Sequence, residues 1–441
     1  MKSCCSQITI FFLACLGIGT AQTDAPLRLN LEQSIERALA QNPEVQIADL
    51  QVAESQQDRK IVRSALLPNV SLEASERVRR LNVETLIGHE LPAFGPVSGP
   101  FQAMVAGPTF STPIFDLRLW KQYRATKDRV AASRADAKTR REEISLLVVS
   151  QYLGVLRATA GVDASKSRVD LAQALLNQTK ALRESGVATR VDEVRAEVRL
   201  RQEEQSLIVA QTDVSTALYA LARLLNIPAG QRIETTDHQA FFDTPGVPPE
   251  ATIEMALQNR PELALIHARK SAAESERAAA SAARLPSLWF QGGWGEAGKN
   301  LGGMIPTYDY QVAMSIPLFA GGRLSAERRR SQIQVEKAEQ TEIDIRNRIG
   351  EQVQSSIAEW KAARNEVNVA NEALRLANEE LGLARSRFAA GVTDNIEVVS
   401  AQDSLARASD NHIDAFYRFS AARAKLARAM GRVEETFGRS K

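Results

Sequence analysis

The sequence predicts a mainly α-helical chain, written twice in tandem, carrying four β-strands of membrane-barrel length. Three observations carry this reading. Landmarks recur across the two halves, long stretches rich in Ala, Arg, Glu and Leu break at two short glycine turns, and short segments alternate in polarity.

The chain opens on "MKSCCSQITIFFLACLGIGTAQ". Lys2 gives a positive start, Ile8 to Ile18 an apolar core, and Gly19-Thr20-Ala21 small residues before a cut. Residues 1–21 therefore read as a signal peptide, with the mature chain starting at Gln22. A membrane anchor would need about 20 apolar residues. Lipid attachment at Cys15 is a further alternative, although Phe12-Leu13-Ala14 makes a poor lipidation box. Cys4, Cys5 and Cys15 all fall in this leader, so the mature chain carries no thiol, disulfide or Cys-based metal site. A net charge of +2 with 24% charged residues of both signs gives no nucleic-acid footprint. No downstream segment resembles a membrane helix, and alternating barrel strands would be hidden in the mean hydropathy of −0.24.

The duplication sets the domain order. Pro43 matches Pro261 and Pro68 matches Pro286, both 218 positions apart. Pro113 and Pro317 then lie 204 apart, while "LARLL" at 221 and "LARAM" at 426 lie 205 apart. The first copy thus holds about 14 extra residues between its second and third landmarks. Repeat 1 is expected over 22–227 and repeat 2 over 251–431. A Pro- and turn-rich linker, 228–250, would wrap the middle of the molecule, and 432–441 would be a tail.

Each copy has the same internal order. A helix over 44–67 ends at Pro68, as helices do before proline. A β-hairpin follows over 68–117, and over 286–319 in the second copy. Long helices run from Leu117 to Glu184 and from Leu324 to Ala389. Turns at 186–190 and 391–395 lead to return helices over Val191–Leu225 and Ile396–Met430. At about 1.5 Å per residue a long helix would span on the order of 100 Å. A return helix and the Pro-led helix, end to end, would nearly match that length, which predicts a rod. Ile144, Leu147, Val148, Tyr152 and Val155 form one apolar stripe along it.

The strands separate this rod from an ordinary helical bundle. In "PTYDYQVAMSIPLF", Tyr308, Tyr310, Val312, Met314 and Ile316 alternate with Asp309, Gln311, Ala313 and Ser315. In "NVSLEASER", Val70, Leu72 and Ala74 alternate with Ser71, Glu73 and Ser75. Segments of about ten residues suit a tilted membrane strand, with Tyr308 and Tyr310 as an aromatic girdle. A soluble half-buried sheet would alternate too. Four strands are too few for a membrane barrel, whose smallest members have about eight, so several copies would have to associate. Three copies would give twelve strands and a pseudo-sixfold set of helical hairpins.

Catalytic chemistry is not legible. His89, His238, His267 and His412 lack ligand spacing, with His89 expected in an exterior loop. "GGWGEAGKNLGG" at 292–303 lacks the Lys-Ser/Thr of a phosphate loop and reads as a flexible hairpin loop. No nucleophile elbow or paired acid and base stands out. The expectation is no enzyme, no cofactor and no metal. What remains distinctive is the pair of turns, each with a carboxylate six residues past its glycine: Asp192 after Gly186 and Glu397 after Gly391. A carboxylate in a first helical turn is also stabilised by the helix dipole.

The Pro-led helices, the strand entries at Pro68 and Pro286, the "P-[IL]-F" exits at 113 and 317 and the two glycine turns together resemble the outer membrane efflux protein (TolC-like) family. The resemblance runs from about Leu27 to Gly431. It implies a homotrimer with a twelve-stranded β-barrel in the outer membrane and an α-barrel through the periplasm. Such a molecule would be the exit duct of a tripartite efflux pump or type I secretion system. Its partners would be outer membrane lipid, a periplasmic adaptor (membrane fusion protein) and an inner-membrane transporter, proton-driven or ABC type, with no nucleic acid. The adaptor-docking tips carried over are Gly186, Val187, Ala188, Thr189 and Arg190 with Gly391, Val392 and Thr393. The periplasmic gate would hold Asp192, Asp394 and Glu397. Ser400 departs from the family's frequent second aspartate. The alternative is a soluble periplasmic coiled-coil scaffold or adaptor.

Overall fold

The computed structural model describes residues 26–88, 96–228, 230–237, 253–393 and 395–438. The leader, His89, His238, most of the linker and Asp394 lie outside the described residues.

Short polar signals start the helices. Asn30 caps α1 (Leu31–Gln41) in a reciprocal box with Gln33. Asn42 caps α2 (Pro43–Ser64), and Pro43 takes the first helical position, where no N–H is needed. Asp116 caps the 68-residue α4 (Leu117–Glu184). In the second repeat α6 (Ile253–Asn259) and α7 (Pro261–Ala282) precede the 67-residue α8 (Arg323–Ala389). The return helices are α5 (Arg190–Leu224) and α9 (Asn395–Ala429), each starting one residue before the position read from sequence.

End-to-end stacking is made by hydrogen bonds at the helix junctions. The Asn42 amide donates to the Leu224 carbonyl at 2.9 Å, joining the start of α2 to the end of α5. Arg260, ahead of α7, donates to the Arg428 and Ala429 carbonyls at 3.1 and 3.3 Å at the end of α9. Both bonds satisfy last-turn carbonyls that a helix cannot pair internally. The result is a rod on the order of 100 Å long. Within it α4 packs on α2 and α5 and also on α7 and α9, whereas α8 packs chiefly on α7 and α9.

The main core lies at the middle of the rod. Ile144, Val148, Val149, Tyr152 and Val155 of α4 meet Ile35 of α1 and Leu221 and Leu225 at the end of α5. Leu147 of the predicted stripe is instead exposed. The run around these residues makes α4 long and apolar enough to cross a membrane by length and composition alone, but Val148, Val149 and Tyr152 are spent in burying this core. Strands β1 (Leu27–Leu29) and β4 (Ile233–Thr235) pair in parallel over this core. The buried Tyr152 hydroxyl donates to Asp237 Oδ2 at 2.8 Å, and the Leu31 N–H donates to the same oxygen. The residues read as a tail include α10 (Val433–Phe437), because Val433 and Phe437 both reach this core.

At one end of the rod, β2 (Asn69–Asn82), β3 (Val97–Phe115), β5 (Ser287–Gly298) and β6 (Ile305–Ser315) form one antiparallel sheet in the order β2-β3-β5-β6. The β3–β5 ladder joins the hairpins of the two repeats, and β2 and β6 are left as edges. The strands are longer than the ten residues read from sequence, reaching 14 in β2 and 19 in β3. The extra residues of repeat 1 lengthen its strands and add α3 (Val83–Ile87). The 292–303 stretch is not wholly a loop: β5 runs to Gly298, with Gly292 paired to Tyr310. A side chain at Gly292 would collide with the Asp309 carbonyl, and one at Gly295 with the Ala106 carbonyl. The glycines therefore permit close strand pairing.

The two sheet faces differ. Register puts Val70, Leu72, Phe110, Phe290, Trp294, Tyr308, Tyr310, Val312 and Met314 on one face. Ser71, Glu73, Thr109, Gln291, Asp309 and Gln311 lie on the other. On the apolar face Leu72 is 81% exposed and Tyr308 74% exposed. Tyr308 stacks on Tyr310 with ring centroids 5.7 Å apart. His267 lies 3.3 Å from Glu342, and His412 lies 2.9 Å from Asn371, both as side-chain pairs on helices.

Candidate functional site at the hairpin tips

At the other end of the rod both hairpins turn on a left-handed glycine, Gly186 at φ 78° and Gly391 at φ 68°. The Gly186 and Val187 N–H groups donate to the Arg183 and Leu182 carbonyls. The Gly391 and Val392 N–H groups donate to Phe388 and Arg387 in the same way. These bonds close the last turns of α4 and α8, and a side chain at either glycine would strain the backbone. Val187, Thr189, Arg190 and Val392 are exposed; Ala188 and Thr393 are half-buried. Arg190 is already the first residue of α5 rather than part of the turn. A Cβ on Gly391 would lie 3.9 Å from Val187 Cγ1, so the two tips touch.

The tips are joined by polar bonds. Thr189 caps α5 in a reciprocal box with Asp192, whose Oδ2 accepts from Thr189 N at 3.0 Å and from its hydroxyl at 2.6 Å. The hydroxyl bond from Thr189 holds the Asp192 carboxyl below the usual carboxylate range. Its side chain is only 14% exposed, and its other oxygen pairs with Arg195 Nη1 at 3.3 Å. The same Arg195 nitrogen donates to Asn395 Oδ1 at 2.7 Å, and Asn395 Nδ2 donates back to the Asp192 carbonyl at 2.8 Å. Buried Asn395, opening α9, thus clasps the first turn of α5.

Glu397 is differently placed. It pairs with Arg387 across its own turn at 3.2 Å and remains 37% exposed. Asp192 and Glu397, matched by the repeat, are therefore inequivalent: the first is held in the clasp, the second is partly open. Next to them Glu193 is buried between Arg183 and Arg190, and the hydrogen bond from Arg190 lowers its carboxyl pKa.

Further up, the two hairpins are held by an ionic ladder absent from the sequence reading. Arg199 of α5 pairs with Asp403 of α9 at 2.5 Å. Arg168 and Arg157 of α4 pair with Asp410 and Asp414 at 2.8 and 2.7 Å. Buried Glu203 bridges Arg199 at 2.7 Å and Arg168 at 3.4 Å. A signal existed: Asp403, Asp410 and Asp414 recur on one face of α9 at heptad-like spacing. Asn395 left no such trace, since a lone Asn at a helix start reads as an ordinary cap.

The comparisons agree with this architecture. The family model for outer membrane efflux proteins matches twice, over residues 34–226 and 252–432. The chain is 25% identical over 426 residues to the alkaline protease secretion protein AprF of Pseudomonas aeruginosa, covering 92% of this chain and 85% of that one. It is 25% identical over 399 residues to the pyoverdine export outer membrane protein OpmQ of Pseudomonas putida, covering 86% and 81%. Its fold matches the crystal structure of CusC with a TM-score of 0.81 at 18% identity, covering 91% of this chain and 92% of that one. With a duplicated rod, an edge-open sheet and a model match to each repeat, the chain belongs to the outer membrane efflux protein family.

Proposed function

We propose that this chain is the outer-membrane exit duct of a tripartite efflux pump or type I secretion system, passing substrate passively from periplasm to exterior. One observation carries the reading. In a member of this family, a sheet with one apolar and one polar face and two open edges caps a helical rod that ends in paired tips. Unpaired strand edges cannot stand in lipid, so the sheet closes by edge pairing between copies. Three copies supply twelve strands as a homotrimer. The apolar face then meets outer membrane lipid, with Tyr308 and Tyr310 in the girdle, and the polar face lines the passage.

The tips, Gly186 to Arg190 and Gly391 to Thr393, offer small exposed apolar and hydroxyl groups to a periplasmic adaptor. That adaptor in turn engages an inner-membrane transporter, proton-driven or ABC type. Glu397 supplies a carboxylate of the gate, to which Asp394, three positions before it in sequence, is assigned as well, while Asp192 supports the gate from within the clasp. A carboxylate ring at a constriction favours cations.

The test is reconstitution of the purified chain in planar bilayers, with membrane fractionation beside it. Heat-resistant oligomers in the outer membrane fraction and cation-preferring conductance that Glu397→Ala weakens are expected. A soluble monomer without conductance would refute the duct and return the scaffold reading. Conductance indifferent to Glu397→Ala would remove Glu397 from the gate.

A further inference from the structure

We propose that the groove enclosed by α2, α4, α7 and α8 below the sheet is a cation-lined collar of the passage that binds small organic polyanions in transit. This rests on the duct reading and adds a substrate class to it.

The four helices stand in a row: α2 packs on α4, α4 on α7, and α7 on α8. The row follows the strand order β2-β3-β5-β6, since α2 leads into β2, β3 into α4, α7 into β5 and β6 into α8. One groove of about 970 Å³ is lined from Val62 of α2, across α4 and α7, to Thr341 of α8. A groove that touches both ends of a row and both middle members lies on the row's concave side. When copies close the sheet, the concave side is the inside of the duct, so this wall faces the passage.

Helical spacing builds the wall. On α4 it is made by Arg118, Gln122, Ala125, Arg129 and Ala132, a single stripe at steps of three and four residues. From Arg118 to Ala132 that stripe covers on the order of 20 Å of the rod. Ala125, Ala272 and Ala279 are buried and keep the floor shallow, so the long cationic side chains stand above it.

The charges do not balance. Five cations, Arg118, Arg129, Arg269, Arg330 and Lys337, line the groove against two carboxylates, Glu276 and Glu327. Both carboxylates are already taken: Glu276 pairs with Arg129, and Glu327 pairs with Arg323 at 2.7 Å. Arg269 lies 3.9 Å from Asp136. Arg118, Arg330 and Lys337 are exposed and make no ion pair among the described residues. Each further copy adds the same three. Like charge on a concave, low-dielectric wall focuses the field and concentrates ligands of opposite sign. Arginine forks grip carboxylate, sulfonate and phosphate oxygens in pairs. The groove also has the size of small-molecule sites, about 300–1,000 Å³. An organic molecule with two or more anionic groups can meet several of these cations at once, which a simple anion cannot. The collar and the tip carboxylates lie at opposite ends of the rod, so ion preference at the constriction and polyanion binding at the collar are separate readouts.

The test is binding of pyrenetetrasulfonate, a fluorescent tetravalent anion, to the full-length oligomer purified in detergent, read by fluorescence anisotropy. Saturable binding that salt weakens is expected. Arg118→Gln with Arg330→Gln and Lys337→Gln should weaken it roughly 10- to 100-fold, since each partly exposed ion pair contributes modestly. The control removes equal charge from the other side of the same helices. Arg124, Lys127 and Arg328 lie about 130° or more round the axis from the groove stripes, and Arg124→Gln with Lys127→Gln and Arg328→Gln should leave binding within about 3-fold. Light scattering checks that each variant keeps its oligomer. Should the groove triple variant fail to assemble, Arg330→Gln alone decides, and it should weaken binding severalfold. An intact, conducting oligomer that ignores the probe, or that binds it equally after the groove substitutions, would overturn the collar alone. Equal loss in both triple variants would assign the probe to general surface charge and overturn it too. A soluble monomer without conductance would overturn the duct reading beneath it.

Discussion

Replacing Asn395 with Ala should free the two tips from each other while leaving the rest of the rod intact. The amide makes two bonds from a buried position, accepting from Arg195 at 2.7 Å and donating to the Asp192 carbonyl at 2.8 Å. A hydrogen bond to a charged group is worth about 1.5–3 kcal/mol and a neutral one about 0.5–1.5 kcal/mol. Arg195 keeps its bond to Asp192, so the net loss is about 2–4 kcal/mol of local stability. At about 1.4 kcal/mol per factor of ten, amide protection at the start of α5 should fall roughly 30- to 1,000-fold. Hydrogen exchange read by mass spectrometry on peptides around 186–200 measures this directly. Asn395→Asp keeps an acceptor for Arg195 but loses the donor, so its effect should be smaller. Unchanged protection at the tips, or an equal loss in the α1–α4 core, would refute the clasp.

Three further outcomes follow from the same geometry. The Thr189 bond holds the folded Asp192 pKa below its unfolded value of about 3.9, so its stabilisation is full above that pH and lost as pH falls through the lowered value. Tip protection, corrected for intrinsic exchange, should therefore drop on strong acidification, and Thr189→Val should flatten that profile. Leu72→Arg on the apolar sheet face should cost about 2–4 kcal/mol if the residue sits near the bilayer midplane, and should deplete heat-resistant oligomers from the outer membrane fraction. Gln311→Arg on the polar face should leave them in place. Tyr152→Phe removes a buried donor to Asp237 at a cost of about 1–3 kcal/mol. It should lower the thermal denaturation midpoint more than Arg157→Ala, whose exposed pair is worth under about 1 kcal/mol.

Much of this was readable because it is periodic or local. The duplicated prolines, the glycine turns and the apolar stripe of α4 each state a backbone preference within a few residues. The alternation of β6 and of the start of β2 did the same for the sheet faces. Strand ends were less legible, since whether the glycines of 292–298 pair or loop depends on strands brought in from elsewhere. The last residues are a similar case: Val433 and Phe437 form a helix because the core built around α1 and α4 accepts them.

The sequence by itself determined the repeat, the order of the elements, the length of the rod and the place of its two turns, because each follows from local propensity and repetition. Tertiary structure alone decided what the side chains at those turns do. Asp192 and Glu397 hold equivalent places in the repeat, yet one lies in a clasp with Asn395 and Arg195 and the other pairs across its own turn. Identical positions in two repeats become different sites once a fold gives them different neighbours. The same asymmetry sets Asp403, Asp410 and Asp414 of α9 against arginines of α4 and α5 inside the chain.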